Sequence, residues 1–200
     1  MKDKKQEIIN FIEENFNCSL SLTKSLTDEN KRLAFDLCIF KCLDKNYYIV
    51  STVGLSNYKM TGKSKFVELI LYLDEDWNFI SKEEKFCWIY ELIHRFASDF
   101  YLSKRKFEVG QVFHTQGGNT FSPYTEMSSA ILYYPLPLKR RNWQIKLGAF
   151  KKADLYLLTT ATYREYALVK KMGGTGFVQK YLLEDDDIEN CVVYNIRDKN

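Results

Sequence analysis

Residues 47–77 read YYIVSTVGLSNYKMTGKSKFVELILYLDEDW, and this stretch predicts how the sheet of the protein is built. Two apolar runs rich in β-branched and aromatic residues, Tyr47–Val53 and Phe66–Leu73, flank a turn-rich polar segment. Such runs are typical of β-strands. The second run is almost continuously apolar, which predicts a central strand that is covered on both faces. Its single charged residue is Glu68.

The segments before this stretch predict one helix and one strand. Apolar residues at helical spacing within residues 3–16 predict an amphipathic opening helix. Residues 17–31 are polar, and we interpret them as a connector. Residues 33–39 alternate well enough for a strand, which we expect to form a hairpin with residues 47–53.

The segments after it predict two longer helices among short strands. Ser81 and Glu84 have the spacing of a capping box and open a helix that ends near Ser103. Thr162 and Glu165 have the same spacing and open a helix to Met172. Further strands are expected at residues 110–115, 128–134 and 191–196. Residues 143–150 and 153–160 are expected to form two paired strands around Lys151-Lys152. A short helix is expected at residues 177–183.

The order of these elements predicts the fold class. Strands occur in runs and do not alternate strictly with helices, which favours an α+β fold over a doubly wound α/β fold. We expect a mixed, mainly antiparallel sheet packed against helices. The 200 residues contain no linker rich in Pro, Gly or Ser, so we expect a single domain over residues 1–200.

Charge and cysteine content exclude several functional classes. The formal net charge is +3, with 29 basic and 26 acidic residues interspersed, so nucleic-acid binding is not expected. The basic run Lys139–Arg141 is interpreted as a solvated loop and not as a phosphate clamp. The five cysteines are odd in number and contain no CxxC pair, which favours reduced thiols over disulfides or zinc. No run has the length of a membrane span, and we expect a soluble cytoplasmic protein.

The sequence contains none of the familiar catalytic or cofactor motifs that we sought. It has no GxSxG elbow, Walker A loop, HExxH pair or dinucleotide fingerprint, so no cofactor and no metal are expected. The glycine-rich run Gly173–Gly176 follows a predicted helix and not a strand. We therefore interpret it as a helix C-cap and turn, and not as a phosphate-binding loop.

Two residues remain open to a functional or a structural interpretation. Glu68 lies within an apolar strand and must be paired, hydrogen-bonded or exposed. It is either an acid, base or anchor for a bound group, or half of a structural ion pair with a Lys or Arg. His114 lies at a predicted strand end and is either a ligand contact or a hydrogen-bonded structural histidine.

A set of segments occurs in a characteristic order along the chain. The segments are Val50–Ser56, Phe66–Leu69, Leu71–Leu73, Trp88, Gly110–His114, Phe121–Glu126 before Ile131-Leu132, and Leu157–Thr159 with Thr162, Glu165 and Gly173. Together they resemble the suppressor-of-fused domain. The resemblance covers roughly residues 35–185 and depends on the ordered set of segments with their spacing, not on any single motif.

The resemblance implies an α+β domain that binds another protein and has no catalytic activity. In animals, the family's namesake restrains a transcription factor and uses an additional C-terminal domain, for which this chain is too short. The chain is similar to the bacterial single-domain branch, which is linked to immunity proteins that neutralise polymorphic toxins by binding them. Such proteins are often acidic when they inhibit nucleases, so the mildly basic charge argues against nucleic-acid mimicry. The residues that the resemblance marks as binding candidates are Gly54, Leu55, Ser56, Glu68, His114 and Tyr124.

A rival hypothesis is a small-molecule-binding protein or an unrecognised hydrolase. It would place Glu68, His114 and Tyr124 around one cleft beside the Gly54-Leu55-Ser56 turn. This hypothesis requires those side chains to lie close together in the folded protein.

Overall fold

The structure, a computed structural model, describes residues 3–27, 32–115, 117, 119–138, 143–183 and 191–193. The predicted basic run Lys139–Arg141 and the end of the predicted strand 191–196 lie outside these residues. The helices are α1 (Lys4–Phe16), α2 (Glu84–Leu102) and α3 (Tyr163–Phe177). The strands are β1 (Cys18–Thr27), β2 (Ala34–Cys42), β3 (Tyr47–Val53), β4 (Val67–Asp74), β5 (Val112–His114), β6 (Met127–Tyr133), β7 (Gln144–Leu147), β8 (Lys151–Thr162) and β9 (Val192–Val193).

The strands of the described residues form one mixed sheet in the order β1-β2-β3-β4-β8-β6-β5. β7 pairs with β8 and β9 pairs with β4. All of these pairs are antiparallel except β4 with β8 and β4 with β9. The predicted hairpin of β2 and β3 is confirmed, and so is the α+β class with a mainly antiparallel sheet.

Helices cover both faces of the sheet. On one face, Leu37 of β2 belongs to the same buried cluster as Ile93 of α2. On the other face, Phe40 of β2 is buried with Ile12 of α1 and Phe177 of α3. Strand β4 therefore lies in the middle of the molecule, and seven of its eight residues are buried, as its apolar sequence predicts.

The interpretation of residues 17–31 as a connector is wrong. Residues 18–27 form β1, a ten-residue strand at the edge of the sheet whose residues are mostly exposed. Cys18, Leu20 and Leu22 alternate with polar residues in this segment, but six of its ten residues are polar, so its apolar signal is weaker than that of the inner strands. α1 ends at Asn17, whose left-handed φ of 49° turns the chain directly into β1.

Two further local predictions are corrected. The N-cap of α2 is Glu83 and makes no side-chain capping bond, and Ser81 accepts instead from the Glu83 amide at 3.1 Å. The β7–β8 hairpin turns at residues 148–150, so Lys151 and Lys152 belong to β8. Gly148 has a φ of 69°, which suits a tight turn.

The glycine-rich run interrupts α3. Gly173 has non-helical angles of 76° and 161°, and helical structure resumes through Phe177, followed by a π-turn over Val178–Leu182. A Cβ atom on Gly174 would lie 2.6 Å from the Gly110 carbonyl oxygen, so this glycine permits close packing against the chain before β5. The predicted helix end at Met172 is therefore a break within a longer helical segment.

None of the helices in the described residues has the length and apolar character that crossing a membrane requires. Within the same residues, no three His, Cys, Asp or Glu side chains form a group that could hold a metal ion.

Candidate interaction site

The first feature marked by the sequence is the corner where β3 leaves β4. The last ladder pair between these strands is Ser51 with Ile70. Beyond it, Gly54 adopts a φ of 104°, which favours glycine, and starts the single 3₁₀ turn Leu55–Asn57. The two strands diverge here, so their next backbone groups need other hydrogen-bond partners.

The carboxylate of Glu68 supplies those partners. Its Oε1 accepts from the backbone amides of Gly54 and Ser56, both at 3.0 Å. Its Oε2 accepts from the Thr52 hydroxyl at 2.5 Å, and that hydroxyl in turn accepts from the Leu69 amide at 2.8 Å. Both carboxylate oxygens are therefore engaged, and the Gly-Leu-Ser turn is held to β4.

Burial dominates the electrostatics of Glu68. The side chain is 0% exposed, and this desolvation raises its pKa to about 7 against the opposing effect of the bonds from Thr52, Ser56 and Gly54. The side chain of Lys151, the first residue of β8, reaches this turn, and its Nζ donates to the Ser56 carbonyl at 2.5 Å. Among the described residues Glu68 has no ion pair, so the expectation of a paired Lys or Arg is wrong: amides and a hydroxyl stabilise it.

The structure thus brings together four of the six residues that the sequence marked. Gly54, Leu55, Ser56 and Glu68 form one buried unit. Because this unit is buried, it shapes the surface above it. Direct contact of these residues with a ligand stays a prediction.

His114 occupies a different place, on β5 at the other end of the sheet. Its Nδ1 lies 3.0 Å from the Ser128 carbonyl oxygen and 2.9 Å from the Ser129 hydroxyl. Because a carbonyl oxygen can only accept, Nδ1 carries the hydrogen and Nε2 of the neutral ring is an acceptor. The ring stacks on Tyr166, with centroids 3.5 Å apart.

The pKa of His114 is below its ordinary value. Burial is the main cause, and Lys170 acts in the same direction against the bond to Ser128. The histidine is therefore hydrogen-bonded within the fold, which favours the structural interpretation. It also faces a cavity, which keeps the other interpretation open.

That cavity lies between β5 and the first turns of α3 and has a volume of about 870 Å³. From the β5 side, Arg105, Val112 and His114 line it. Its α3 side is lined by Tyr163, Arg164, Tyr166 and Lys170, among others. The α3 wall of this site was not predicted from the sequence. A signal was present, because Tyr163, Tyr166 and Lys170 have the i, i+3, i+7 spacing of one helix face and follow the correctly predicted capping box.

The structure does not bring Glu68 and His114 into one cleft. β8 and β6 lie between their strands, and three strand spacings of about 4.8 Å put these two strands about 14 Å apart. Tyr124 is 49% exposed, belongs to the chain between β5 and β6, and is not among the residues that line the cavity. Glu68, His114 and Tyr124 therefore do not surround one cleft, as the hydrolase hypothesis requires.

Comparison with known proteins agrees with this architecture. Among solved structures, the chain is similar to a chain of the Sufu–Fu complex, with 12% identity, a TM-score of 0.64, and coverage of 98% of this chain and 91% of that one. It is similar to Drosophila Suppressor of Fused with the same identity and TM-score, and it spans about half of that chain's length, 49%. At 12% identity these likenesses establish the fold alone.

Comparison with curated proteins gives no significant match. The sequence profile of the family described as Suppressor of fused protein (SUFU) matches residues 33–191, which is most of the chain. The fold and this match agree, and the chain belongs to the suppressor of fused family.

Proposed function

We propose that this chain is a non-catalytic protein-binding domain, and that it acts as a bacterial immunity protein that neutralises a toxin by direct binding. Membership of the suppressor of fused family supports the binding role. One of the similar structures is a complex of Sufu with Fu, which is a precedent for a protein partner. The toxin as partner follows from the resemblance to the bacterial single-domain branch.

The observation that carries the non-catalytic part is the environment of Glu68. An acid or base must come within hydrogen-bond reach of its substrate. Glu68 is 0% exposed and both of its oxygens accept from neighbouring groups of the fold. The most conspicuous candidate for catalysis therefore has a structural role that accounts for its burial, its raised pKa and its position.

The surface also offers anchors for a partner. Phe150, at the β7–β8 turn, is fully exposed, and Ile80 is 88% exposed. Tyr163 is 55% exposed at the start of α3. Large apolar and aromatic side chains of this kind supply much of the affinity in protein interfaces when a partner covers them.

A growth assay tests the proposal. The product of the gene that neighbours its own is expressed from an inducible promoter, with and without this chain, and growth is followed. We expect the toxin to stop growth and co-expression of this chain to restore it. The purified proteins are then titrated against each other, and inhibition should be complete only at equimolar amounts, because binding consumes one chain per toxin.

The titration distinguishes inhibition of the toxin by stoichiometric binding from enzymatic inactivation of the toxin. Full inactivation of the toxin by a small molar fraction of this chain, or a covalent change in the toxin, would show turnover and overturn it. Failure to form any complex with the toxin would overturn the immunity role.

A small-molecule-binding role is the alternative, and one observation favours it. The cavity beside His114 has a volume of about 870 Å³, within the range of ligand pockets. This alternative predicts that a metabolite raises the melting temperature of the isolated chain, and that substitutions lining the cavity abolish the shift.

A further inference from the structure

The α3 wall of the cavity presents cations without carboxylate partners. Arg164 and Lys170 are exposed and line the cavity. Within the part of the chain that the structure describes, neither forms an ion pair. The Nζ of Lys170 lies 4.7 Å from the ring centroid of Tyr166, so aromatic surface and positive charge are side by side.

The opposite wall holds a third cation in a fixed position. Nη1 of Arg105 lies 2.7 Å from an Asp99 carboxylate oxygen, and Nη2 donates to the Val112 carbonyl at 3.2 Å. These bonds orient the guanidinium before any ligand arrives, which lowers the entropic cost of binding. Its side chain remains 40% exposed.

No carboxylate is among the residues that line the cavity. Asp99 pairs with Arg105 at the edge of the cavity, and Glu165 caps α3, since the Thr162 amide and hydroxyl donate to its Oε2 at 2.7 and 2.8 Å. The cavity also adjoins the first turn of α3, where the helix dipole adds positive potential. Arg164 and Lys170 therefore give the lining of the cavity an excess of positive charge, which favours an anionic ligand.

We propose that this cavity binds an acidic segment of the partner protein, and this inference rests on the proposed protein-binding function. Aspartate or glutamate side chains of the segment pair with Arg164 and Lys170, while an apolar or aromatic residue packs on Tyr163 and Tyr166. A volume of about 870 Å³ suits a short segment. Tyr and Arg are enriched in the buried parts of protein interfaces, whereas nucleic-acid sites extend as a basic stripe along a face.

Paired charge-reversal variants test the site on the full chain. Arg164→Glu with Lys170→Glu removes the two lining cations that form no ion pair among the described residues. Lys45→Glu with Lys82→Glu is the matched control, because it changes the net charge equally at exposed positions that do not line the cavity. The probes are a fluorescent peptide rich in glutamate and tyrosine, its counterpart with glutamine at each glutamate, a mixed-sequence DNA oligonucleotide, and inorganic phosphate.

We expect the glutamate peptide to bind, to weaken as salt rises, and to shift the amide NMR signals of α3 and β5. The cavity variant should weaken binding by about tenfold or more, and the control variant by less than about twofold. Equal losses in both variants would show non-specific charge attraction and overturn the proposal. So would binding of the glutamine peptide as tight as that of the glutamate peptide, or tighter binding of the oligonucleotide or of phosphate.

The toxin assay separates the failure of this inference from the failure of the proposed function. If the cavity variant folds and still neutralises the toxin at equimolar amounts, the acidic-segment site is wrong and the immunity role stands. If neither the native chain nor the control variant forms a complex with the toxin, the proposed function itself is wrong.

Discussion

At the scale of single residues, Glu68 is the group on which the architecture of the β3–β4 corner depends. A carboxylate in the middle of an apolar core is costly unless it is satisfied by hydrogen bonds. Here the strands diverge and leave the amides of Gly54 and Ser56 without ladder partners, and Glu68 accepts from both. The buried carboxylate therefore needs the amides of the turn as hydrogen-bond donors, and the turn needs the carboxylate as their acceptor.

Replacement of Glu68 should separate its hydrogen-bonding role from its charge. At pH 5, Glu68→Ala leaves two buried amides and a hydroxyl without an acceptor, and we expect the free energy of unfolding to fall by about 3 kcal/mol. Glu68→Gln keeps one acceptor oxygen and should cost about 1 kcal/mol. Urea denaturation measures both, and the exposed Glu75→Gln serves as control. Equal costs for Ala and Gln would contradict the assigned hydrogen bonds.

The raised pKa of Glu68 predicts a pH dependence of stability. Its ordinary value is 4.5 and its folded value is about 7, so between these values the folded state retains a proton that the unfolded state has released. The stabilisation is complete below pH 4.5, declines as pH rises, and is lost above pH 7. It amounts to about 3 kcal/mol, since one pKa unit corresponds to about 1.4 kcal/mol.

Unfolding curves of the wild type and Glu68→Gln between pH 5 and 8 test this sign. The wild type should lose stability relative to the Gln variant as pH rises, and by pH 8 the Gln variant should be the more stable of the two. A difference that stays constant over this range would show that Glu68 does not titrate there.

At the scale of elements, the two longer helices start in different ways. In α3, the Thr162 hydroxyl accepts from the Glu165 amide at 3.2 Å, and the Glu165 carboxylate accepts from the Thr162 amide at 2.7 Å. α2 starts at Glu83 without a side-chain cap, although Ser81 and Glu84 have the same spacing in the sequence. A capping box needs the first residue in the N-cap conformation, and this conformation is set by the preceding chain, not by the spacing alone.

Alanine substitutions at the two predicted caps should therefore differ. Thr162→Ala removes a formed cap and should lower the free energy of unfolding by about 1–2 kcal/mol. Ser81→Ala removes two exposed local bonds, one from the Glu83 amide and one to the Glu83 carboxylate, and should cost less than about 0.5 kcal/mol. Both are read from chemical denaturation. A larger cost at Ser81 than at Thr162 would contradict the helix boundaries described above.

At the scale of the whole molecule, packing on both faces of the sheet buries most of the thiols. No disulfide joins any of the five cysteines, and Cys18, Cys38, Cys42 and Cys191 are buried. Burial raises the pKa of Cys18 and of Cys42 to about 12, so both stay as unreactive thiols near neutral pH. Cys87 on α2 is half-buried and is the most accessible of the five.

Thiol labelling checks this arrangement of the layers. In the native protein at pH 8, we expect an aromatic disulfide reagent to react rapidly with Cys87 alone, and with all five thiols after denaturation in guanidinium. Cys87→Ser should abolish the rapid phase. Rapid native labelling of Cys18 or Cys42 would show that α1 does not cover the sheet as described.

Local patterns in the sequence were sufficient to predict the elements that have a strong periodic or capping signal. The apolar run of β4, the helical spacing of apolar residues in α1 and the capping box of α3 each lie within one short segment, so neighbouring residues contain the signal. The edge strand β1 escaped prediction because six of its ten residues are polar, which hides the short alternation of Cys18, Leu20 and Leu22. Glu68 was conspicuous for the same local reason, as a charge among apolar neighbours.

Strand order, by contrast, depends on contacts between residues far apart in the sequence, and local patterns do not encode it. Only the folded chain places β8 beside β4 and so separates Glu68 from His114. Only the folded chain sets Arg105 across a cavity from Arg164 and Lys170. The hydrogen-bond partners of a buried charge, and the charges that line a cavity, come from segments far apart in the sequence. Only the tertiary structure determines them.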